Sequence, residues 1–360
     1  MLGRSSLIPI RPYPQKDEIL SSWLIRCSVV NASDPESFGG GIWNEYRIWT
    51  RDFDRYLPKT RAGPLCKAVS MSYEQITDMT LEPIIRRISK IDLNPNTAWP
   101  WVIPTGTRNR SKFNGLHFCP ECLKQSPTYF KKQWRLSWNT VCPEHRCLLQ
   151  LRCPKCHTAF SPHLIDYLDT DVGICRKCRY DLRHLHCEKA DKDVLQLQER
   201  LNQAALTGEL TTHWSLIEDV HDLFAITKAL MTLFHRISRC QAIQRVACEL
   251  LGEDTFPDIT YSGSILEMAD VHERHFLMSL VAKTFELDLE TIIQLFVDAG
   301  ITQQMWKESV HEYSRSGRYF LSVLPDNGRG YPNVPHPKKM IRPRSKEDVE
   351  KLMDEIRKYL

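Results

Sequence analysis

Four pairs of potential metal ligands lie close together in the middle of this 360-residue sequence. Nine of its thirteen cysteines fall between Cys119 and Cys187. Two residues separate the members of each pair, which lets one tight turn direct both side chains at a single ion. Thiolate and imidazole ligands favour zinc over cations that prefer oxygen. The predicted pairs are Cys119/Cys122, Cys142/His145, Cys153/Cys156 and Cys175/Cys178.

The pairs combine in sequence order into two sites. Nineteen residues separate the first pair from the second and eighteen separate the third from the fourth, which resembles zinc-ribbon spacing. The first site would then be Cys₃His and the second Cys₄. A catalytic zinc normally keeps three protein ligands and an open position for water, whereas four protein ligands close the site. The sequence therefore predicts two structural zinc ions per chain, holding one compact central module.

Other interpretations of the same cysteines are possible. An iron–sulfur cluster would also use thiolates, but the mixed Cys₃His set and the ribbon spacing favour zinc. Unliganded buried cysteines would not produce four regular pairs. Cys147 could replace His145 in the first site, although C-x-x-H matches the spacing of the other pairs. A deaminase-like zinc site would need an H-x-E motif, and none precedes these cysteines.

Helices are predicted before the cysteine-rich region. Near the start, an apolar helical face is formed by Ile19, Leu20, Trp23, Leu24, Cys27 and Val30. Further on, "LCKAVSMSYEQITDMT" indicates a helix, a short turn and a second helix, with Ser72 and Gln75 as a capping box and Ile76 and Met79 facing inward. A plain helical domain and a DNA-reading helix-turn-helix are both consistent with this pattern.

The sequence after the cysteines is again helical. Val271, Leu277, Leu280 and Val281 define one helix; Asp288 caps the next, and Gly300 stands where a left-handed cap is expected. A third helix is predicted over "TQQMWKESVHEYSRS", so that the three could form a helix-turn-helix domain. The last helix is predicted over "SKEDVEKLMDEIRKYL".

A basic segment lies before that last helix. Between Arg315 and Lys346 there are eight Lys or Arg residues and one acid, and Gly and Pro predict a loop. Such a loop suits contact with nucleic-acid phosphates, and a solvated connection would have the same composition. The candidate contact residues, for nucleic acid or an acidic partner, are Arg315, Arg318, Lys338, Lys339, Arg342 and Arg344.

These elements predict a mostly α fold with small zinc-ribbon β elements. We expect an N-terminal helical, helix-turn-helix-like domain at 1–105 and a double zinc-ribbon module at 106–190. A C-terminal helical domain with the helix-turn-helix-like segment and the basic loop would occupy 191–360. No catalytic constellation is present: the sequence has no G-x-S-x-G, no Walker A loop and no H-E-x-x-H.

Composition limits the class of protein. Hydrophobic residues make up 42% of the chain, which suffices for packed cores, and the net charge is only +4. No run approaches the ~20 apolar residues of a membrane-spanning helix, and no secretory signal is evident at the start. We therefore expect a cytoplasmic protein in which the cysteines are reduced.

The sequence resembles the TniQ/TnsD family of transposon target-selection proteins. The resemblance covers about residues 9–180 and is looser beyond. It depends on "PYPQKDEILSSWLIR", "LCKAVSMSYEQITDMTL" and, above all, "HFCPECLKQSPTYFKKQWRLSWNTVCPEHRCLLQLRCPKC". In that last stretch C-P-x-C-L, Tyr129, Trp134, Leu136, C-x-x-H and C-P-x-C follow the order seen in the family.

The resemblance implies a non-enzymatic adaptor that connects a target-recognising element to an AAA+ regulator, TnsC-like, which recruits the transposase. At 360 residues the chain is similar to the shorter TniQ proteins of CRISPR-associated transposons, which dock as homodimers on a crRNA-guided Cascade complex. Longer TnsD-type members read a DNA attachment site directly, and the basic segment keeps that alternative open. DNA or RNA backbone contacts are expected in either case.

Overall fold

The computed structural model describes most of the chain up to Asp326. The described residues through Pro325 form one compact unit. The predicted last helix and four candidate contact residues, Lys338, Lys339, Arg342 and Arg344, lie outside the described part. The described residues are 8–44, 46–94, 96–105, 107–108, 111–112, 116–257, 259, 266–310, 312 and 314–326.

In the described residues, the N-terminal part of the fold has five α-helices: α1 (Leu20–Val30), α2 (Pro35–Ile42), α3 (Lys59–Val69), α4 (Tyr73–Asp78) and α5 (Glu82–Ile88). The predicted face of α1 is buried at Leu20, Trp23, Leu24 and Cys27. The prediction is wrong for Val30, which is 41% exposed because it ends the helix beyond the packed face.

The predicted capping box at the start of α4 is confirmed. Ser72 Oγ accepts a hydrogen bond from the backbone N–H of Gln75, and the Gln75 side chain accepts one from the backbone N–H of Ser72. Both contacts satisfy donors that the first turn of a helix leaves unpaired. Ile76 and Met79 are buried, as expected.

The central region contains little regular structure. It has two short antiparallel pairs, β1 (Thr107–Arg108) with β2 (Ser111–Lys112) and β3 (Val141–Cys142) with β4 (Cys147–Leu148). The second pair is a hairpin in which Cys142 is opposite Cys147. Single bridges, such as Phe118 with Gln150, extend this pairing between the segments that carry the cysteines. The predicted class, mostly α with small zinc-ribbon β elements, is confirmed.

Seven α-helices follow in the part of the chain that the structure describes: α6 (Lys192–Thr207), α7 (Val220–Phe234), α8 (Gln241–Leu251), α9 (Val271–Glu286), α10 (Leu289–Ala299), α11 (Gln303–Lys307) and α12 (Arg315–Val323). The predicted caps of α10 are present. Asp288 accepts from the N–H of Thr291, and Gly300 is left-handed at φ +88°, which glycine adopts without steric cost.

Two C-terminal predictions are wrong. The third helix, predicted over 302–316, is present only as the short α11, and residues from Arg315, predicted to begin the basic loop, form α12. The Ser314 hydroxyl accepts a hydrogen bond from the N–H of Gly317 and so caps the start of α12. The Phe320 ring then stacks on Trp306 at 4.6 Å, and burial of both rings stabilises a helix that Gly317 alone would disfavour.

Apolar residues gather into two clusters. The smaller joins α1 to α4 with the segment around Trp49, and the larger runs from Ile19 through the cysteine-rich region to Leu324. The three-part division into 1–105, 106–190 and 191–360 stays a prediction. Within the described residues, no helix is long and apolar enough to cross a membrane.

Candidate metal centres

The first four predicted ligands come together at one point. The ligand atoms of Cys119, Cys122, Cys142 and His145 all lie within 4.8 Å of one another. His145 Nδ1 is 3.4 Å from Cys119 Sγ, 3.3 Å from Cys122 Sγ and 3.5 Å from Cys142 Sγ. The Cys122 and Cys142 sulfurs are 3.7 Å apart. The three cysteines are buried and His145 is partly exposed. We call this group site 1.

The second four predicted ligands form a similar group, called site 2. Cys153, Cys156, Cys175 and Cys178 also have their sulfurs within 4.8 Å of one another. The sulfurs of Cys153 and Cys178 are 3.5 Å apart, and those of Cys156 and Cys175 are 3.6 Å apart. Cys156 and Cys178 are partly exposed, so this group is closer to solvent than site 1.

These separations fit a tetrahedral ion. With Zn–S of about 2.3 Å and Zn–N of about 2.05 Å, tetrahedral ligands stand about 3.8 Å apart for two sulfurs and about 3.6 Å apart for sulfur and nitrogen. Three of the sulfur–sulfur distances are 3.5–3.7 Å, the sulfur–nitrogen distances are 3.3–3.5 Å, and all other pairs lie within 4.8 Å. Each group could therefore hold one metal ion, and the ligand types are compatible with zinc.

The turns that carry the ligands have a common backbone form. In three of the four pairs the residue after the second ligand is left-handed: Arg146 at φ +50°, His157 at +56° and Arg179 at +62°. Each donates its N–H to the carbonyl of the first ligand, at 2.7, 2.9 and 3.0 Å. This conformation disfavours residues with a Cβ by roughly 1–2 kcal/mol, so the surrounding contacts must hold it.

Backbone donors inside the turns also face the sulfurs. The N–H of Cys122 hydrogen bonds to the thiolate of Cys119, and that of His145 to Cys142. In site 2 the Thr158 hydroxyl, 3.4 Å from Cys156 Sγ, lowers the pKa of that thiol to about 6. Donors directed at sulfur stabilise the deprotonated form, which is the form that binds metal.

Cys147 lies beside site 1 without completing it. Its sulfur is 3.6 Å from Cys119 Sγ, whereas His145 lies close to all three cysteines of the site. The adjoining Cys119 sulfur and burial raise the pKa of the Cys147 thiol. A neutral thiol in this position can donate to the Cys119 sulfur and orient it, as groups around metal ligands commonly do. The geometry thus favours His145 as the fourth ligand.

Polar side chains from distant helices hold the segment that leads into site 1. The Gln198 amide, on α6, accepts from the N–H groups of Thr140 and Val141 and donates to the Val141 carbonyl, at 2.9–3.0 Å. On α9, His275 Nδ1 is 3.0 Å from the Thr140 hydroxyl. These contacts fix the strand that leads into Cys142.

Two buried arginines join site 1 to its neighbours. Arg135 is fully buried and pairs with Asp52 at 2.7 Å and Asp54 at 3.3 Å, from the N-terminal helical region. Arg274, on α9, donates to the Ser137 carbonyl at 2.6 Å and to His117 Nε2 at 3.0 Å. Burial lowers the pKa of Arg274 to about 10 and that of His117 well below its usual range. His117 therefore stays neutral and accepts from Arg274.

Site 2 is held by different contacts. Arg176 pairs with Asp169 at 2.9 Å, and Arg183 pairs with Asp171 at 2.8 Å and with Asp181 at 2.7 Å. These side chains are partly exposed, so each pair contributes little, ~0–1 kcal/mol. The surroundings of site 2 are local in sequence, unlike those of site 1.

The predicted nucleic-acid contacts are only partly described. Arg315 and Arg318 are exposed on α12, and Arg315 pairs with Glu218. The side chains that anchor site 1, namely Arg135, Gln198, Arg274 and His275, were not predicted. A single lysine, arginine or glutamine within a helical pattern gives no signal that it will be buried.

Together these features define a predominantly helical protein built around two cysteine-rich clusters, each with four ligands and able to hold a metal ion. Residues 9–149 match the TniQ family model, so this part of the chain carries a TniQ domain. The matched range contains site 1 and ends before site 2. No curated protein sequence matches the chain. Members of this family select targets for transposition and are known as adaptors rather than enzymes.

Proposed function

We propose that the chain is a non-enzymatic adaptor that links an RNA-guided Cascade complex to an AAA+ transposition regulator of the TnsC type. It would act in the cytoplasm as a homodimer, with two structural zinc ions per chain. The observation that carries this proposal is the TniQ match over 9–149, which includes the four-ligand site 1.

The geometry of the metal sites supports a structural role. Each site offers four possible ligands, which would fill a tetrahedral ion and leave no position for substrate or activated water. Three ligands of site 1 are buried, and the buried side chains of Gln198 on α6 and Arg274 on α9 hold the backbone beside it. Such a site stabilises a surface for partners instead of supplying reactivity.

The alternative is a sequence-specific DNA-binding protein that recognises an attachment site directly. The helices α9 and α10 have the short connection of a helix-turn-helix, and α10 would be the reading helix. However, α10 contains no Lys or Arg, and its exposed residues include Glu290, Thr291, Gln294 and Asp298. An acidic surface repels phosphates, so α10 is better suited to a protein partner.

Co-purification tests the adaptor directly. The full chain is mixed with reconstituted Cascade and, separately, with the AAA+ regulator, and retained protein is measured against a mixture that lacks each partner. Light scattering should give twice the 42.0 kDa chain mass. A monomer that binds neither complex but protects one duplex sequence from nuclease would contradict the adaptor and support direct site recognition.

A further inference from the structure

A strip of arginines crosses the N-terminal helical region. Between Arg47 and Arg61 the sequence "RIWTRDFDRYLPKTR" alternates basic and apolar residues. Ile48, Trp49 and Phe53 are buried, whereas Arg47 and Arg51 are exposed. The apolar side chains therefore anchor the segment and turn its arginines towards solvent.

The two acids of this segment neutralise only part of the strip. Asp52 and Asp54 both pair with the buried Arg135, and Asp52 also pairs with Arg55 at 3.4 Å. In the part of the chain that the structure describes, no ion-pair partner is present for Arg47, Arg51 or Arg61. The segment thus presents unpaired positive charge although its sequence includes aspartates.

Two cavities lie along the strip and share a wall. One, of about 370 Å³, is lined by Tyr46, Arg47 and Thr50 among others. The second, of about 700 Å³, is lined by Tyr46, Thr50, Arg51 and Tyr56 among others. Tyr46 and Thr50 border both, so the two cavities adjoin, and we call them together the groove; Glu36 also lines the first and Asp52 the second. Both tyrosines are partly exposed.

The arginine and aromatic side chains are already in contact around this groove. The Arg61 guanidinium lies 4.2 Å from the centre of the Tyr46 ring. The Arg55 guanidinium lies 5.6 Å from the Trp99 ring and donates to the Thr97 carbonyl at 2.7 Å. Such stacking holds planar guanidinium groups in fixed orientations, which favours paired hydrogen bonds to phosphate oxygens.

We propose that this groove binds a single-stranded nucleic-acid segment. The arginines would follow the phosphates while bases stack against the exposed parts of Tyr46 and Tyr56. A duplex is a poorer fit, because proteins read it by inserting a projecting helix or strand into its grooves, whereas this surface is concave. The inference goes beyond the proposed function and beyond the nucleic-acid contacts predicted from the sequence, which begin at Arg315.

Fluorescence anisotropy tests the groove with the full chain. A labelled 12-nucleotide single-stranded RNA, the same sequence as DNA and a 12-base-pair duplex are titrated at several salt concentrations. The salt slope is the steepness with which the logarithm of the binding constant falls as the logarithm of the salt concentration rises. For a single strand, each lost phosphate contact lowers this slope by about 0.7. We therefore expect Arg47→Ala/Arg51→Ala to lower the slope by about 1.4 and to weaken single-strand binding roughly tenfold.

The matched control removes two exposed positive charges that do not line the groove. Lys192→Ala/Arg200→Ala, on α6, should bind like the unchanged protein. Arg47→Lys/Arg51→Lys keeps the charge and should restore the salt slope but only part of the affinity, because lysine lacks the planar fork. Metal content and melting temperature of each variant verify that it is folded.

Several results would overturn the inference. They are absence of single-strand binding, equal losses in the groove variant and the α6 control, tighter binding of the duplex, or competition by polyglutamate as effective as that by RNA. The last result would identify an acidic protein as the occupant. The adaptor proposal is tested separately, since the groove variant can be assayed for co-purification with both complexes whatever its affinity for oligonucleotides.

Discussion

Site 1 and site 2 use the same ligand spacing but differ in what surrounds them. Cysteines of both sites belong to the larger apolar cluster, but three ligands of site 1 are buried, and Gln198 on α6 and Arg274 on α9 hold the backbone beside it. Site 2 has two partly exposed ligands and is surrounded by ion pairs between residues close in sequence. The same local motif can thus stabilise the whole fold where it is buried, or only the loops that carry it where it is partly exposed.

This difference predicts unequal costs for losing each ion. The free energy of metal binding in small structural zinc sites is roughly 10–16 kcal/mol. Where the site is central, unfolding must release the ion, so that free energy contributes to global stability. Where the site is peripheral, its loops can open while the remaining core stays folded.

The largest effect is expected for Cys122→Ser in site 1. The change removes a thiolate from a buried site, and we expect the free energy of unfolding to fall by about 4 kcal/mol or more. Metal analysis should find one zinc ion fewer per chain than in the unchanged protein, which we expect to hold two. Chemical denaturation followed by tryptophan fluorescence measures the loss.

The control for this change is Cys147→Ser, which alters a thiol in contact with Cys119 but outside the ligand set. A serine hydroxyl can still donate to the Cys119 sulfur, so the cost should remain below about 1 kcal/mol and both ions should stay bound. Greater loss in Cys147→Ser than in His145→Ala would instead make Cys147 the fourth ligand.

Cys178→Ser in site 2 is the matched change at a partly exposed ligand. We again expect one ion to be lost, but the global free energy of unfolding should fall by only about 2 kcal/mol, since local opening precedes unfolding. Limited proteolysis should show new cleavage between residues 166 and 180, with the rest of the chain protected. Equal global losses for Cys122→Ser and Cys178→Ser would remove the distinction between the two sites.

Acid should weaken the anchor of site 1 through His275. Its Nε2 accepts the N–H of Asp191 and its Nδ1 is 3.0 Å from the Thr140 hydroxyl, which requires a neutral ring. Burial lowers the pKa of His275 from 6.5 to about 4; nearby Asp191 opposes that shift and His272 adds to it. Between these two values the unfolded chain binds more protons, so stability falls as pH falls from about 6.5 to about 4.

The expected contribution is about 2–3 kcal/mol over that range. His275→Gln can make both hydrogen bonds without titrating, so its free energy of unfolding should decline less on acidification. Both the unchanged protein and His275→Gln contain the same cysteine ligands. The difference between their free energies of unfolding at each pH therefore excludes the effect of protonating those cysteines. Parallel curves would show that His275 does not link site 1 to the helices.

The comparison also explains which features the sequence could predict. Ligand pairs, the α4 capping box and the Asp288 cap depend on residues a few positions apart, and the structure brings each set together as expected. The anchors of site 1 instead join residues that are far apart in sequence. Arg274 contacts Ser137 across 137 positions, and Gln198 contacts Val141 across 57. Such partners are fixed only by the packing of helices, which local patterns do not determine.

The C-terminal errors have the same origin. The segment 315–323 contains Gly317 and no strong helical signal, yet burial of Phe320 against Trp306 and the contact of Ser316 with Asp222 at 2.7 Å stabilise it as a helix. The positive charge of the arginine strip is likewise not evident from the sequence. Asp52 and Asp54 lie among the arginines in sequence, and only the structure shows that both pair with Arg135.

The smallest expected effects come from the left-handed residues after the second ligands. Arg146→Gly in site 1 and His157→Gly in site 2 each remove a Cβ from a backbone at φ +50° and +56°. The relief of roughly 1–2 kcal/mol is partly offset by the greater chain entropy of glycine when unfolded, leaving a gain of about 0.5 kcal/mol.

If site 1 unfolds only with the whole protein, Arg146→Gly should raise the global melting temperature. His157→Gly should leave that temperature unchanged and only slow proteolysis within residues 153–180, because site 2 opens first. An equal rise in melting temperature for both variants would mean that the two sites unfold together.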